Sequence, residues 1–166
     1  LMPDAIEARG LLALLLLQDS RRDARVRQDG SLVLLGDQDR SRWDAREIAV
    51  GLTHVDAAFR DLPAGAAPGP YLLQASIAAC HARSPRPEAT NWREIAALYG
   101  VLATVAPGPV VELNRAVAVA MADADSAVRF AAVDATLHVN GFVDVAAVAG
   151  RLSDDSAVVR RRRSEE

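Results

Sequence analysis

The densest group of side chains able to do chemistry lies in one short stretch, DQDRSRWD, which starts at Asp37. It opens like a calcium loop, because Asp37, Asp39 and Ser41 alternate as oxygen ligands would. A calcium loop also needs glycine at its sixth position and a bidentate glutamate at its twelfth, and here those positions hold Arg42 and Ile48. Because an arginine in the ligand ring repels a cation, the stretch predicts no metal site.

Aspartates close to arginines have lowered pKa values, which suit ion pairs better than a general base at neutral pH. We therefore predict an Arg–Asp network that holds this loop against the helices, with Trp43 inserted as an apolar plug. A pocket for a ligand or a partner is the alternative. Besides Arg21, the residues of this predicted network are Asp19, Arg22, Arg25, Asp37, Asp39, Arg40, Arg42 and Trp43.

Cys80 and His81 are the other pair that suggests catalysis. Neighbours on a helix point about 100° apart, so the thiol and the imidazole do not face each other. The pair predicts a buried thiol beside a hydrogen-bonded histidine. Neither His54 nor His138 has a second ligand at metal spacing, and the sequence has no phosphate-binding loop and no nucleophile elbow. We predict no catalysis, no cofactor and no metal.

Composition narrows the class of protein. Apolar residues form 51% of the 166, aromatic residues only 4%, and the net charge is −3 with a pI near 5.6. Small apolar residues favour close-packed helices, and the acidic balance argues against direct binding to nucleic acid. The single Cys80 excludes an internal disulfide and favours a cytoplasmic location. The apolar run 11–17 is too short to span a membrane.

Periodicity and breakers predict an all-α fold. One long irregular loop is expected at about 20–43, with a short hairpin arm at 31–35 and a helix start at Ser41, where Asp44 completes a capping box. A sixth, weaker helix is expected at about 125–137. The five stronger helices are predicted from Pro3 to about Asp19, from after Ser41 to Pro63, from Pro70 to Arg83, from the Asn91 cap to the APGP stretch that starts at Ala106, and from Pro109 to Met121.

Two of these helices share a sequence. Arg-Glu-Ile-Ala at 46–49 recurs at 93–96, and each copy is followed by a Gly-Pro that opens the next helix. This pattern predicts tetratricopeptide-like antiparallel helix pairs, an α-solenoid with a concave groove. The repeat domain is expected over 1–122, followed at 123–166 by a weak terminal helix or helices and a disordered arginine-rich tail. Gln74, Asn114 and Arg115 either bond to backbone at the helix seams or line the groove.

Four segments in order resemble one bacterial family: LLALLLLQDSRRDAR from Leu11, LVLLGDQDRSRWD from Leu32, GPYLLQASIAACHA from Gly69 and NWREIAALYGVLATVAPGPVVELNRAVAVA from Asn91. They resemble the C-terminal domain of extracytoplasmic-function-type sigma-70 factors that carry a tetratricopeptide-like extension. The likeness covers about residues 3–122. The family-like positions are Asp19, Arg22, Arg25, Asp37, Gln38, Asp39, Arg40, Arg42, Trp43, Gln74, His81, Trp92, Tyr99, Pro109, Asn114 and Arg115.

The resemblance implies a regulatory, protein-interaction domain of a transcription-initiation factor, with core RNA polymerase or its own sigma regions as partners. The family's promoter-reading regions have no counterpart here, so we expect no direct binding to DNA. From about Asp123 the sequence departs from the family pattern, and we expect an under-covered apolar face there that permits a homodimer. Alternatives are a sensor of a small anionic ligand and a structural brace. The expected partner-binding residues are Trp92, Tyr99, Gln74, His81, Asn114 and Arg115.

Overall fold

The structure is a computed structural model that describes residues 3–123. Over this range it is all-helical, as predicted, and its extended pairing is limited to one isolated antiparallel bridge between Val26 and Leu32. The chain divides into two compact units between Asn91 and Trp92. The helices are α1 (Pro3–Asp19), α2 (Ala45–Asp61), α3 (Pro70–Arg83), α4 (Trp92–Val105) and α5 (Pro109–Ala122).

In the first unit α1 is the central helix. It packs along both α2 and α3, whereas α2 and α3 share few contacts with each other. Its leucines and alanines leave no strongly polar side, which is the pattern of a helix with neighbours on more than one face. The core that results combines residues of all three helices: Ile6, Ala13, Leu17, Val55, Ala58, Leu72, Ala75 and Ala79.

Close approach of α1 to α3 depends on Gly10. A Cβ built at this position would lie 2.7 Å from the backbone nitrogen of Leu72 and 3.1 Å from the carbonyl carbon of Tyr71. Because backbone atoms cannot move aside as a flexible side chain does, only glycine permits this helix separation.

The N-terminus of α3 is capped by a side chain of α1. Gly69 precedes the helix and has no side chain to cap it, and Pro70 occupies the first helical position. The carboxylate of Glu7 accepts hydrogen bonds from the backbone N–H groups of Tyr71 (2.8 Å) and Leu72 (3.2 Å). A negative charge also interacts favourably with the positive end of the helix dipole. This contact joins α1 to α3 at its first turn.

The start of α2 differs from the prediction. The residue before the helix is Asp44, and its carboxylate accepts from the backbone N–H groups of Arg46 (2.8 Å) and Glu47 (3.0 Å). The predicted cap Ser41 lies in a preceding 3-10 turn, where Asp39 accepts from its backbone N–H. Ser41 and Asp44 are both good capping residues, three positions apart. The helix starts after Asp44, which directly precedes the apolar residues that recur at helical spacing.

Residues 20–44 form the predicted irregular loop. Its expected hairpin arm is reduced to the Val26–Leu32 bridge, closed by a turn in which Gly30 has φ +83°, a conformation that favours glycine. Three short 3-10 turns follow or precede it, at Arg22–Ala24, Leu35–Asp37 and Arg40–Arg42. The loop ends where Asp44 N–H donates to the carbonyl of Ser20, 2.8 Å away.

In the second unit α4 and α5 pack on each other across a three-residue connection. Ile95 and Leu102 of α4 are buried, and Ala120 of α5 is buried as well. In α2, Phe59 is 40% exposed, and the adjacent Ala58 is buried in the core. The predicted helix at 125–137, the arginine-rich tail and the dimer face lie outside the described residues.

Among the described helices, none combines the length and the apolar character needed to cross a membrane. Across the same residues no group of three or more potential metal-ligating side chains comes together.

Candidate functional site

Trp43 is the centre of the loop and is 7% exposed, as predicted for an apolar plug. Two guanidinium groups lie over its ring: the Cζ of Arg40 is 4.6 Å from the ring centroid, and the Cζ of Arg21 is 5.8 Å away. Both distances fall within the range of cation–π attraction. Together with Arg25, which interacts electrostatically with Arg21, these residues form what we call the arginine cluster: Arg21, Arg25, Arg40 and Trp43.

Arg40 joins the loop to the end of α3. Its Nη1 donates to the carbonyls of His81 and Ser84, each 2.6 Å away. These carbonyls belong to the last turn of the helix and the residue after it, where intrahelical donors run out. The cation also complements the negative end of the helix dipole. Arg40 is thus a C-terminal cap supplied from outside the helix.

Arg21 and Arg25 share one acceptor at the end of α1. The Gln18 side-chain oxygen accepts from the Nη2 of Arg21 and from the Nη2 of Arg25, the latter at 2.9 Å. Arg25 also donates to the backbone carbonyl of Gln18. A neutral amide oxygen therefore occupies the position between two cations where a carboxylate would neutralise charge.

The predicted Arg–Asp network is largely absent from this geometry. One pair forms, Asp19 with Arg22 at 3.3 Å, and both side chains are exposed. The carboxylate of Asp39 instead accepts from the backbone N–H and the hydroxyl of Ser41, 3.0 and 2.7 Å away, which lowers its pKa. Short aspartate side chains satisfy their own turns, whereas the longer arginines reach distant carbonyls. Asp37 and Arg42 are exposed.

In the described chain no carboxylate oxygen lies within 4 Å of a guanidinium nitrogen of Arg21, Arg25 or Arg40. The burial and the positive charge of the arginine cluster change the pKa values of its arginines. Burial, followed by the neighbouring Arg25 and Arg40, lowers the pKa of Arg21 to about 10. Burial also lowers the pKa of Arg40, although Glu88 acts in the opposite direction.

His81 faces the same positive region. Burial lowers its pKa to about 4, and the charges of Arg21 and Arg40 add to the effect. The imidazole is therefore neutral at pH 7. The predicted partner Cys80 is buried, in agreement with the interpretation of a structural thiol.

Several buried polar atoms of this loop lack a hydrogen-bond partner within the described part of the chain. They include two donors of the arginine cluster, Nε of Arg40 and Nε1 of Trp43. Gln38 is also buried; its amide nitrogen donates to the carbonyl of Val33 at 3.2 Å, and its side-chain oxygen has no partner. A buried donor without an acceptor costs about 1–3 kcal/mol. The arginine cluster therefore has N–H donors that could bind a further hydrogen-bond acceptor.

The expected partner-binding residues occupy different environments. Gln74, Asn114 and Arg115 are exposed, so the prediction that they bond to backbone at helix seams is wrong. Arg115 pairs with Glu112 on its own helix, with 2.8 Å between Nε and Oε2. Trp92 and Tyr99 are half-buried, and burial raises the pKa of the Tyr99 hydroxyl. Gln74 and His81 belong to the first unit, and the other four belong to the second.

Sequence reasoning missed three residues that shape the cluster and its surroundings. Gln18 orients two arginines, Ser84 offers a carbonyl to Arg40, and Glu7 caps α3. Gln18 and Ser84 stand at helix ends, and that position was the available signal, since carbonyls without intrahelical donors are found there. Nothing in the sequence marks Glu7 as the cap for Tyr71, which lies 64 residues further along the chain.

Fold and site together define an all-helical protein with an arginine-rich loop folded over a buried tryptophan. A family of unknown function, DUF6596, matches residues 1–59, which include α1, the loop and most of α2. The chain is also 52% identical over 119 residues to "Uncharacterized protein R00370" of Rhizobium meliloti (strain 1021). That match covers 72% of this chain and 27% of the relative, so the chain spans about a quarter of the relative's length. No solved structure matches.

Proposed function

We propose that this chain is a regulatory, protein-interaction module in the C-terminal part of an extracytoplasmic-function-type sigma factor, without catalysis of its own. The four resembling segments support the proposal, and they fall on α1, the loop, α3 and the α4–α5 pair. The similarity to a much longer relative is compatible with a module that works alongside other regions of one polypeptide.

The repeat organisation forms part of the proposal. The two Arg-Glu-Ile-Ala copies occupy the second to fifth residues of α2 and α4, and Pro70 and Pro109 are the first residues of α3 and α5. Equal positions within equivalent helices support tetratricopeptide-like pairs. The packing of α4 on α5 is compatible with such a pair, whereas α2 and α3 share few contacts with each other and pack mainly on α1.

The observation that carries the interaction proposal is the exposure of Gln74 and Asn114. Both stand near the start of a helix that opens with Gly-Pro, and both interrupt an apolar sequence without being needed by the core. Exposed polar side chains near the start of repeated helices suit recognition of a protein partner. Core RNA polymerase and the sigma regions of the same polypeptide are the partners we propose.

A pull-down at two salt concentrations tests this proposal. The chain is presented with core RNA polymerase and, separately, with the sigma regions. Binding that falls at least fivefold with Asn114→Ala or Arg115→Ala supports an interaction module. The matched control is Arg93→Ala, which removes an exposed arginine from α4. Equal binding by all three variants, or none by a chain that circular dichroism shows to be folded, contradicts the proposal.

A further inference from the structure

The arginines of the arginine cluster donate their hydrogen bonds to uncharged groups. Arg21 and Arg25 donate to the side-chain oxygen of Gln18, and Arg40 donates to two backbone carbonyls. The nearby carboxylates are used elsewhere: Asp19 pairs with Arg22, and Asp39 accepts from Ser41. Arg21 and Arg40 lie over Trp43 and Arg25 acts on Arg21, so the three cations repel each other, although Glu88 acts in the opposite direction at Arg40. Partial burial strengthens that repulsion.

Some hydrogen-bond donors of the arginine cluster have no acceptor within the described residues. Nε of Arg40 and Nε1 of Trp43 are buried without an acceptor within the described residues. The guanidinium of Arg21 has further N–H groups beyond the one used by Gln18, because arginine carries five. Planar guanidinium groups bind carboxylate and phosphate oxygens in pairs, which makes oxyanions their best-matched ligands.

The cluster can be reached from solvent. Arg21, Arg25 and Arg40 are each partly exposed. A cleft of about 400 Å³ opens beside Arg25, with Gln18, Asp19 and Arg25 at its polar end and Leu12 and Leu15 along its apolar side. Leu12 is 44% exposed and Leu15 58% exposed, so the cleft is open in the first unit. An anion can therefore approach Arg25 from this side, and Arg25 shares the Gln18 side-chain oxygen with Arg21.

We propose that Arg21, Arg25 and Arg40 bind an oxyanion of the phosphate or carboxylate type beside Trp43. A bound oxyanion neutralises the cluster, accepts from the free guanidinium N–H groups, and ties the loop more firmly to the ends of α1 and α3. The site goes beyond the interaction function proposed above and does not depend on it. The oxyanion comes either from a free small molecule or from an acidic side chain of a partner.

Thermal unfolding of the whole chain tests the site, with inorganic phosphate and a capped hexaglutamate peptide as separate probes against chloride at equal ionic strength. The melting temperature rises with the logarithm of probe concentration, by about 5 °C when the probe exceeds its dissociation constant tenfold. A response to phosphate indicates a free ligand, and a response to hexaglutamate alone indicates an acidic partner. No response to either overturns the proposal.

Two substitutions and one control locate the binding. Arg21→Gln weakens the melting-temperature response to the probe at least tenfold. The control is Arg27→Gln, which changes an exposed arginine of the same loop and leaves that response unchanged. Gln18→Glu places a carboxylate between Arg21 and Arg25, so it raises the melting temperature without any probe and weakens the response at least tenfold. If Arg21→Gln does not fold, Gln18→Glu still decides: an unchanged melting temperature together with an unchanged response overturns the proposal.

Fluorescence gives an independent reading of the same site. In a Trp92→Phe background Trp43 is the remaining tryptophan. Probe binding beside its ring shifts its emission with the same concentration dependence as the melting temperature. A stabilisation by phosphate that leaves Trp43 emission unchanged and persists in Arg21→Gln means that the anion acts elsewhere, which overturns the assignment.

Discussion

Arg40 shows how a single side chain connects a loop to a helix it does not adjoin in sequence. Its Nη1 bonds two carbonyls at the end of α3, while its guanidinium covers Trp43. Bonds that involve a charged donor are stronger than bonds between neutral groups. The His81 carbonyl also accepts from the N–H of Ser84, 3.3 Å away, so Arg40 adds a charged donor at the end of the helix. The attachment of the loop therefore depends on this residue more than on the carboxylates around it.

Replacing Arg40 with methionine should lower the free energy of unfolding by about 2 kcal/mol, because methionine keeps the apolar stem and removes two charge-assisted hydrogen bonds. Urea unfolding followed by circular dichroism measures the difference. The control is Arg42→Met, which alters an exposed arginine two residues away and should change stability by less than about 0.5 kcal/mol. Equal effects of the two substitutions would contradict the capping role.

The low pKa of His81 predicts a pH dependence of stability. Its folded-state pKa is about 4, below the ordinary 6.5, so between these values the unfolded state binds more protons than the folded state. The contribution of His81 to the free energy of unfolding is fully present above about pH 6.5. It is lost as pH falls toward 4, by about 3 kcal/mol in total. His81→Gln should flatten the profile of unfolding free energy against pH over that window, measured by urea unfolding.

At the scale of elements, two contacts add to the shared apolar core in aligning α1 with α3: the close approach at Gly10 and the cap from Glu7. Neither is a contact between large apolar side chains. The first needs the absence of a side chain, and the second needs one carboxylate in the right register. Both lie on the same stretch of α1, three residues apart, and both meet the first turn of α3 at Tyr71 and Leu72.

Gly10→Ala should destabilise the protein by about 2 kcal/mol, since the added Cβ meets backbone atoms of Leu72 that cannot yield without moving α3. Gly100→Ala is the matched control. It lies within α4 with no atom within 4 Å of its added Cβ, and it should stabilise by about 0.5–1 kcal/mol through helix propensity. Chemical denaturation distinguishes them, and a Gly10→Ala protein as stable as the original would be incompatible with the close contact.

Glu7→Ala should cost about 1 kcal/mol, because it leaves two N–H groups at the start of α3 without their acceptor. Glu7→Gln keeps an oxygen acceptor but not the charge, so its loss should be smaller. Amide hydrogen exchange provides the local reading, with faster exchange at Tyr71 and Leu72 in Glu7→Ala. Unchanged protection at these two amides would show that the cap is not formed in solution.

At the scale of the whole molecule, the first unit contains a complete core. The buried cluster is drawn from α1, α2 and α3 alone, and the arginine cluster lies within the same residues. The side chains of that core therefore pack against residues that precede Trp92 in the sequence. A unit with its own core is able to fold by itself.

A fragment of residues 1–91 should accordingly fold and unfold cooperatively in urea. Trp43 is its single tryptophan, so fluorescence reports the arginine-rich loop directly. Gly10→Ala should destabilise the fragment as much as it destabilises the whole chain. A gradual change in fluorescence without a cooperative transition would show that the first unit needs the second.

Much of the helical framework was readable from the chain because local chemistry determines it. Proline at the first position of three helices, breaker-rich loops and apolar residues at helical spacing predicted five helices whose ends agree closely with those observed. The failure at the start of α2 came from competition between Ser41 and Asp44, both good capping residues. Trp43 could likewise be predicted as buried, since a lone indole in a polar loop needs a core to cover it.

The partners of the arginines were decided by tertiary structure alone. Opposite charges close in sequence suggested Asp–Arg pairs, yet the guanidinium groups bind Gln18 and the carbonyls of His81 and Ser84. A carbonyl is present in every residue, so no sequence pattern reveals which ones a fold leaves open. The same holds for Gly10 and Glu7, whose roles exist only once α3 lies beside α1. Sequence determined which segments are helical; packing determined where their unused hydrogen-bonding groups and charges meet.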